Sequence, residues 1–372
     1  MNATNPTHQK IRIAVVGLGF GAAFAPIYQA HPDVEAVALC DPDEPRLHAL
    51  GESLGIPQAD RFTALDDVLA RADIDAVHLL TPVPLHAEQT LAVLGAGKHC
   101  ACAVPMATKL DDLRQIVQAQ QTSRKNYMMM ETAVYTREFL YAKDLLDRGE
   151  LGNLTFLRGT YFQDLEGSYP LYWRAQPPMH YATHALSPLL ALARLRAESV
   201  CCLGSGRLRP DLQQPGGNTF PLQTAIFRLE GGELAAEVTR SWFQTARAYT
   251  EAFSVYGDTR GFEWQQREDE EPLLFTLEPG NPDQRGRHVT AKRVTPPDRL
   301  DLIPENLARF TRHGHGGSHP HLAHEFVRSI VEGRPSAINA IIAANWTAAG
   351  ICANDSSLLD GERVRIPSFE FW

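Results

Sequence analysis

No apolar run in this chain is long enough to span a bilayer, and no basic stripe crosses it. The first absence excludes a membrane-spanning helix, which needs about 20 apolar residues. The second, with a formal net charge of −9, argues against nucleic acid as the main partner. The six cysteines (Cys40, Cys100, Cys102, Cys201, Cys202 and Cys352) include no Cys-x-x-Cys pair, so small buried thiols in a reducing compartment are expected rather than zinc. The run Glu268-Asp269-Glu270-Glu271 is too short for an interaction tail and reads as a solvated turn. Residues 1–10 are polar with no apolar signal core behind them, so a cytoplasmic location is expected. There is no internal repeat. What remains, 372 residues of which 44% are hydrophobic, suits two folded domains.

The first of these is legible from its start. Ile11–Val16 is an apolar run broken only by Arg12, as expected of a buried parallel strand. It enters Gly17-Leu18-Gly19-Phe20-Gly21-Ala22, a Gly-x-Gly-x-x-Ala turn ahead of a helix-like segment. Gly17 permits the tight turn, Gly19 lets the backbone approach a pyrophosphate, and Ala22 is small enough for close helix–strand contact. A second strand, Val34–Cys40, ends in Asp41, whose carboxylate can accept from an adenosine ribose and repels a 2′-phosphate. NAD is therefore expected in preference to NADP. The alternation continues with a helix at 64–70, a strand at 76–80, the loop Thr81-Pro82-Val83-Pro84-Leu85-His86, a helix at 87–96 and a strand at 98–103. In a doubly wound pattern the cofactor crevice lies at the strand ends. Thr81, Pro82, His86, Val104 and Pro105 thus join Gly17, Gly19, Phe20, Ala22 and Asp41 as candidate cofactor residues.

Far downstream stands Met179-His180-Tyr181-Ala182-Thr183-His184-Ala185-Leu186-Ser187-Pro188. Positions three apart share a face of a helical turn, so Tyr181 and His184 can meet one substrate edge, and His180 can join them. An imidazole with an ordinary pKa of about 6.5 is largely neutral at working pH and can take a hydroxyl proton. A metal on His180 and His184 is the competing reading, but no third ligand stands at fixed spacing and no metal is expected. The cluster His313, His315, His319, His321, His324, set among glycines, reads as a loop entering a pocket or a helix start; His315 and His319 are candidate substrate contacts. Strand-like runs recur at 155–161, 224–229, 233–242, 252–256 and 261–265, with Glu230-Gly231-Gly232-Glu233 as a hairpin turn. Residues 211–218 read as a loop, 324–332 and 339–353 as terminal helices, and 364–372 as an extended tail.

These residues resemble the glucose–fructose oxidoreductase/inositol dehydrogenase/rhizopine catabolism (Gfo/Idh/MocA) family. The Gly-x-Gly turn, Thr81-Pro82…His86, Gly97-Lys98-His99 and Leu145…Gly149-x-Leu151-Gly152 stand in the family's order, from about residue 10 to the C-terminus. The resemblance implies an α/β fold: an N-terminal Rossmann domain (1–130) that binds NAD, then a C-terminal α/β domain (131–372) with a large, mostly antiparallel sheet that binds substrate and forms a homo-oligomer. Sugars and polyols are the implied substrates. One departure matters. Where the family carries Glu-Lys-Pro, with a lysine that helps deprotonate the sugar hydroxyl, this chain reads Ala103-Val104-Pro105.

There the chain is similar to the NAD-dependent glycosidases of the α-N-acetylgalactosaminidase type. It matches them in Ala103-Val104-Pro105, in Met128-Met129-Met130-Glu131 with Tyr135, in Tyr181-x-Thr183-His184-x-Leu186-x-Pro188 and in His315-Gly316-Gly317; His319 departs, since an acid tends to stand there. The likeness implies Tyr135 as base at sugar C2, with Tyr181 and His184 near the C3 hydroxyl. The expected function is oxidation of a glycoside at C3 by NAD within a redox-cycling hydrolysis. A tyrosine of ordinary pKa, about 10, needs a neighbouring cation to act as a base, and Arg137, Lys143 and Arg174 are candidates. Trp173 can cover a sugar face, and Arg174 can fork onto a carboxylate or sulfonate, which brings acidic sugars and sulfoquinovosidase-like substrates into view. Two alternatives stay open: a sugar or polyol dehydrogenase that accumulates NADH, with His184 as base, and a non-catalytic NAD sensor, against which Tyr135, Tyr181 and His184 argue.

Overall fold

The computed structural model describes residues 10–167, 169–213, 217–267, 269–283, 285–312 and 314–370. Glu268, His313, residues 214–216 of the expected loop and 371–372 of the expected tail lie outside the described residues. The chain divides into two compact units. The first takes the described residues up to Ala107 with Asp111–Met130 and Arg299–Ala343; the second takes Thr108–Leu110, Glu131–Asp298 and the chain from Ala344 on. A single division at 130 does not describe this, because residues 299–343 pack with the first unit. Among the described residues no helix is long and apolar enough to cross a membrane.

The first unit holds β1 (Ile11–Val16), β2 (Val34–Cys40), β3 (Arg61–Phe62), β4 (Ala76–Leu79), β5 (His99–Cys102) and β6 (Tyr127–Met129). They form one parallel sheet in the order β3-β2-β1-β4-β5-β6. Ile13, Ala14 and Val15 are buried, which is why β1 reads as an unbroken apolar run rather than an alternating one. Val16 lies opposite Cys40 and Leu79, so the three central strands end together where the strand order reverses. Such a switch point is where this class of sheet binds its ligand.

The second unit holds β7 (Leu154–Phe162), β8 (Ala197–Ser205), β9 (Leu222–Leu229), β10 (Ala235–Ser241), β11 (Thr250–Gly257), β12 (Arg260–Glu263), β13 (Leu273–Leu277), β14 (Val289–Arg293) and β15 (Val364–Arg365). The sheet order is β14-β13-β12-β11-β7-β10-β9-β8-β15, antiparallel except where β7 meets β10. The expected large, mostly antiparallel sheet is therefore present, and the 230–233 hairpin joins β9 to β10. Register sets Glu251, Tyr161, Arg240 and Gln223 side by side on β11, β7, β10 and β9. The helix Thr183–Ala193 packs against β7, β10 and β11. It approaches so closely that a Cβ on Gly159, two residues before Tyr161 on β7, would run into the Ala185 carbonyl. Only glycine fits there.

Candidate active site

The glycine turn follows β1 directly. Gly17 adopts φ +88°, and a Cβ there would sit 2.6 Å from the Leu80 carbonyl oxygen, so both backbone and space demand glycine. Gly19 differs: a Cβ would meet nothing within 4 Å, which leaves the turn open for a phosphate against its backbone. Asp41 is buried. Its Oδ2 accepts from the Leu18 N–H at 2.6 Å and its Oδ1 from the Asp43 N–H at 2.9 Å, while Arg46 lies 3.4 Å from both oxygens. The carboxylate expected to meet a ribose thus also braces the turn. An open glycine turn with an acidic brace at the switch point fits NAD.

His86 behaves differently from a crevice-lining group. Its ring is buried, with Nδ1 2.7 Å from the Pro105 carbonyl and Nε2 2.9 Å from the Thr81 carbonyl. Carbonyls only accept, so both nitrogens must donate and the ring is an imidazolium clip between two loops. Burial opposes that charge, but Cys102 and the two carbonyls outweigh it and hold the pKa up at about 9. His86 therefore acts on the crevice through the loops it joins. Thr81 Oγ1 donates to Gln89 Oε1 at 2.5 Å, Pro82 leads into the short turn Val83–Leu85, and Val104 is buried before a cis bond to Pro105. Because the folded pKa lies above the ordinary 6.5, the stabilisation is complete below pH 6.5 and is lost as pH rises through about 9. Melting temperature should fall over that window, by on the order of 3 kcal/mol in stability, and His86→Gln should flatten the fall.

In the second unit, Tyr181 closes the turn Pro178–Tyr181 and His184 sits in the first turn of Thr183–Ala193. The Met179 N–H donates to Gln223 Oε1 at 2.8 Å, and Gln223 Nε2 donates in turn to Asn354 Oδ1 and Ser357 Oγ, which fixes that turn on the sheet. The expected pair does meet: the Tyr181 and His184 rings are edge-on with centroids 5.2 Å apart. His184 Nδ1 lies 2.5 Å from Glu131 Oε1 and 3.9 Å from Glu251 Oε1. Burial favours the neutral imidazole, yet Glu131 and Glu251 outweigh it and raise the pKa above its ordinary value. Glu131 is fully buried; its Oε1 also accepts from the Ala133 N–H at 3.0 Å, and its Oε2 has no partner among the described residues. The neighbouring cation is Arg240, whose guanidinium lies 3.7 Å from the Tyr161 ring centre and 4.4 Å from that of Trp242. Tyr249 donates to Glu251 Oε2 at 2.9 Å. Burial, helped by Tyr161, Glu131 and Glu251, drives the Tyr181 pKa well up, so it remains a phenol, able to donate a hydrogen bond but not to act as a base.

The remaining candidates divide. Trp173 joins the aromatic wall, 4.6 Å from Tyr181 and 5.5 Å from Trp242 between ring centres. Among the described residues, the buried Arg174 Nε and His180 Nδ1 have no partner, and burial pulls the His180 pKa down to about 4. Tyr135 is half-buried at the end of the turn Thr132–Val134, which packs on the His184 helix. Of its candidate cations, Arg137 pairs with Asp298 at 3.4 Å and Lys143 with Asp147. His315 and His319, the candidate substrate contacts, pack on Phe20 of the glycine turn within the first unit, and His324 bonds His31 at 2.9 Å. Sequence reasoning did not single out Glu131, Tyr161, Arg240, Trp242, Tyr249 or Glu251. Glu131 alone had a signal, since it ends the Met128–Glu131 match.

Residues 11–131 match the family described as oxidoreductase family, NAD-binding Rossmann fold (GFO_IDH_MocA). That stretch is an NAD-binding Rossmann domain of the Gfo/Idh/MocA oxidoreductases. Among curated relatives, a glycosyl hydrolase family 109 protein of Porphyromonas gingivalis is 28% identical over 52% of this chain and 44% of its own length. One from Shewanella pealeana is 30% identical over 51% and 46%. This chain therefore spans about half the length of both. Another, from Saccharopolyspora erythraea, is 23% identical over 99% of this chain and 85% of that protein. Levoglucosan dehydrogenase in complex with NADH and L-sorbose superposes with a TM-score of 0.80 at 20% identity, covering 97% of this chain and all of that one. The scyllo-inositol dehydrogenase of Lactobacillus casei gives 0.74 at 21%, covering 96% and 99%. At such identities the likeness is one of fold.

Proposed function

We propose that this chain is an NAD-dependent, sugar-active oxidoreductase that opens a glycosidic bond through transient oxidation at C3. The observation that carries this reading is the buried His184–Glu131 pair, a base with its own carboxylate, in a chain whose Val104 cannot act as one. NAD, when bound, supplies the two-electron exchange at C3. His184 Nε2, opposite the nitrogen bonded to Glu131, takes the 3-hydroxyl proton, and the Tyr181 phenol donates to the resulting carbonyl oxygen. Tyr135, as its phenolate, takes the C2 proton; the C2–H electron pair becomes the C1–C2 double bond, and the C1 substituent leaves with the C1–O pair and takes up that proton as the alcohol, which restores the phenolate. Water adds across that bond, and His184 returns its proton as C3 is reduced. The sum is glycoside plus water to sugar plus alcohol, with NAD unchanged.

Arg174, with its unsatisfied Nε, supports an anionic group on the sugar, since a guanidinium binds carboxylate or sulfonate by two parallel bonds. Leu203 and Ile226, exposed on the outer face of the large sheet, support pairing with a second copy. The dehydrogenase reading keeps one argument of its own, the names of its structural neighbours. A panel of neutral, uronic and sulfonated aryl glycosides with NAD⁺ separates the two. The expected result is aglycone release without net NADH, at least about tenfold faster in kcat/KM for the acidic sugars. NADH rising without aglycone would make the chain a dehydrogenase, and equal rates across the panel would remove Arg174 from recognition.

A further inference from the structure

Two successive polar side chains of the first unit, Ser318 and His319, have no role in the chemistry above. The helix His319–Val331 starts at Ser318, whose hydroxyl is fully buried and bonds neither the helix nor any other group among the described residues. The next residue, His319, is 4% exposed, and its Nε2 is buried without a partner. Two orphaned polar atoms on successive residues at one helix start mark a place for something that accepts from them. Their setting says what. The His319 ring lies 4.5 Å from Phe24 and 5.4 Å from Phe20, and His315 closes the cluster at 5.7 Å from Phe20 and 5.4 Å from His319. Phe20 follows Gly19, the residue on whose side the turn is open.

The orphaned pair also lies at the first residues of a 13-residue helix, whose partial positive charge favours an anion. Burial and His315 hold the His319 ring neutral, down to about 3, so Nε2 can carry the ring's proton and donate it. We propose that Ser318 and His319 are a second anchor for the pyrophosphate of NAD, beside Phe20 of the glycine turn. The inference rests on NAD binding by the first domain and is independent of the sugar chemistry. It gives the His315–His319 segment a cofactor role in place of the expected substrate role.

The test uses the full chain, freed of cofactor, titrated calorimetrically with NAD⁺ and ADP-ribose, and with adenosine by competition. Ser318→Ala and His319→Phe each remove a donor while keeping the site's bulk or its aromatic ring. Each should raise Kd for NAD⁺ and for ADP-ribose about tenfold and leave adenosine within twofold. Unchanged ADP-ribose affinity would overturn the proposal and leave a buried water as the occupant. Equal losses for adenosine and ADP-ribose would overturn it too, as a deformed turn. Should His319→Phe fail to fold, Ser318→Ala carries the test. A parent chain that binds neither NAD⁺ nor ADP-ribose would instead overturn the cofactor reading itself.

Discussion

Replacing Glu131 by glutamine is expected to lower kcat about a thousandfold with KM changed only a few-fold. Glutamine keeps the shape and can still accept from the Ala133 N–H, so the turn that leads to Tyr135 should survive. What it removes is the charge 2.5 Å from His184 Nδ1, which stabilises the imidazolium formed when Nε2 takes the substrate proton. The two carboxylates raise the His184 pKa, so activity of the parent enzyme should climb with pH through a value above the ordinary 6.5. In Glu131→Gln that ascending limb should move to lower pH. A merely structural Glu131 predicts lost activity with the limb in place, and that pattern would remove it from the mechanism.

Arg240→Met should be the most destabilising single change in the second unit, costing about 3–5 kcal/mol, or roughly 10 °C in melting temperature. Arg240 is fully buried on β10, where Nη1 donates to the Tyr161 and Ser241 carbonyls and Nη2 to Gln163 Oε1 at 3.1 Å. Burial pulls its pKa down to about 10, partly offset by the surrounding tyrosines and Glu251, so it still carries a full charge at neutral pH. With Arg240 present, Glu131, Glu251 and a protonated His184 sum to zero; without it the cluster keeps a buried negative charge that nothing else on the sheet row cancels. Methionine fills the volume but leaves three acceptors short of donors. Lysine should fare little better, because an ammonium cannot lie flat between the Tyr161 and Trp242 rings. Thermal melts of both variants check this, and a loss under about 1 kcal/mol for Arg240→Met would contradict it.

Legibility in the sequence followed physical range. The first sheet could be read because its strands are buried on both faces, so burial writes itself as apolar runs, and because the glycine turn and Asp41 lie within one local unit. The Tyr181–His184 contact was legible for the same reason, being three residues wide. Arg240, Tyr161, Glu251 and Gln223 were not, since only the register of four strands brings them into one row. Strand β14, Val-Thr-Ala-Lys-Arg, has every residue exposed and so shows no buried face for a pattern to reveal. The packing of His315 and His319 on Phe20 was not legible either, because residues 299–343 join the first unit, a long-range event.

The most direct test of oxidation at C3 followed by elimination is hydrolysis of a fully protiated glycoside in deuterated water, with the sugar product read by NMR. The account predicts deuterium at C2 in the product and the original hydrogen still at C3, because the C2 proton exchanges through Tyr135 while the C3 hydrogen leaves and returns with its electron pair. A hydrolysed sugar with protium at C2 would contradict it and point to direct displacement at C1.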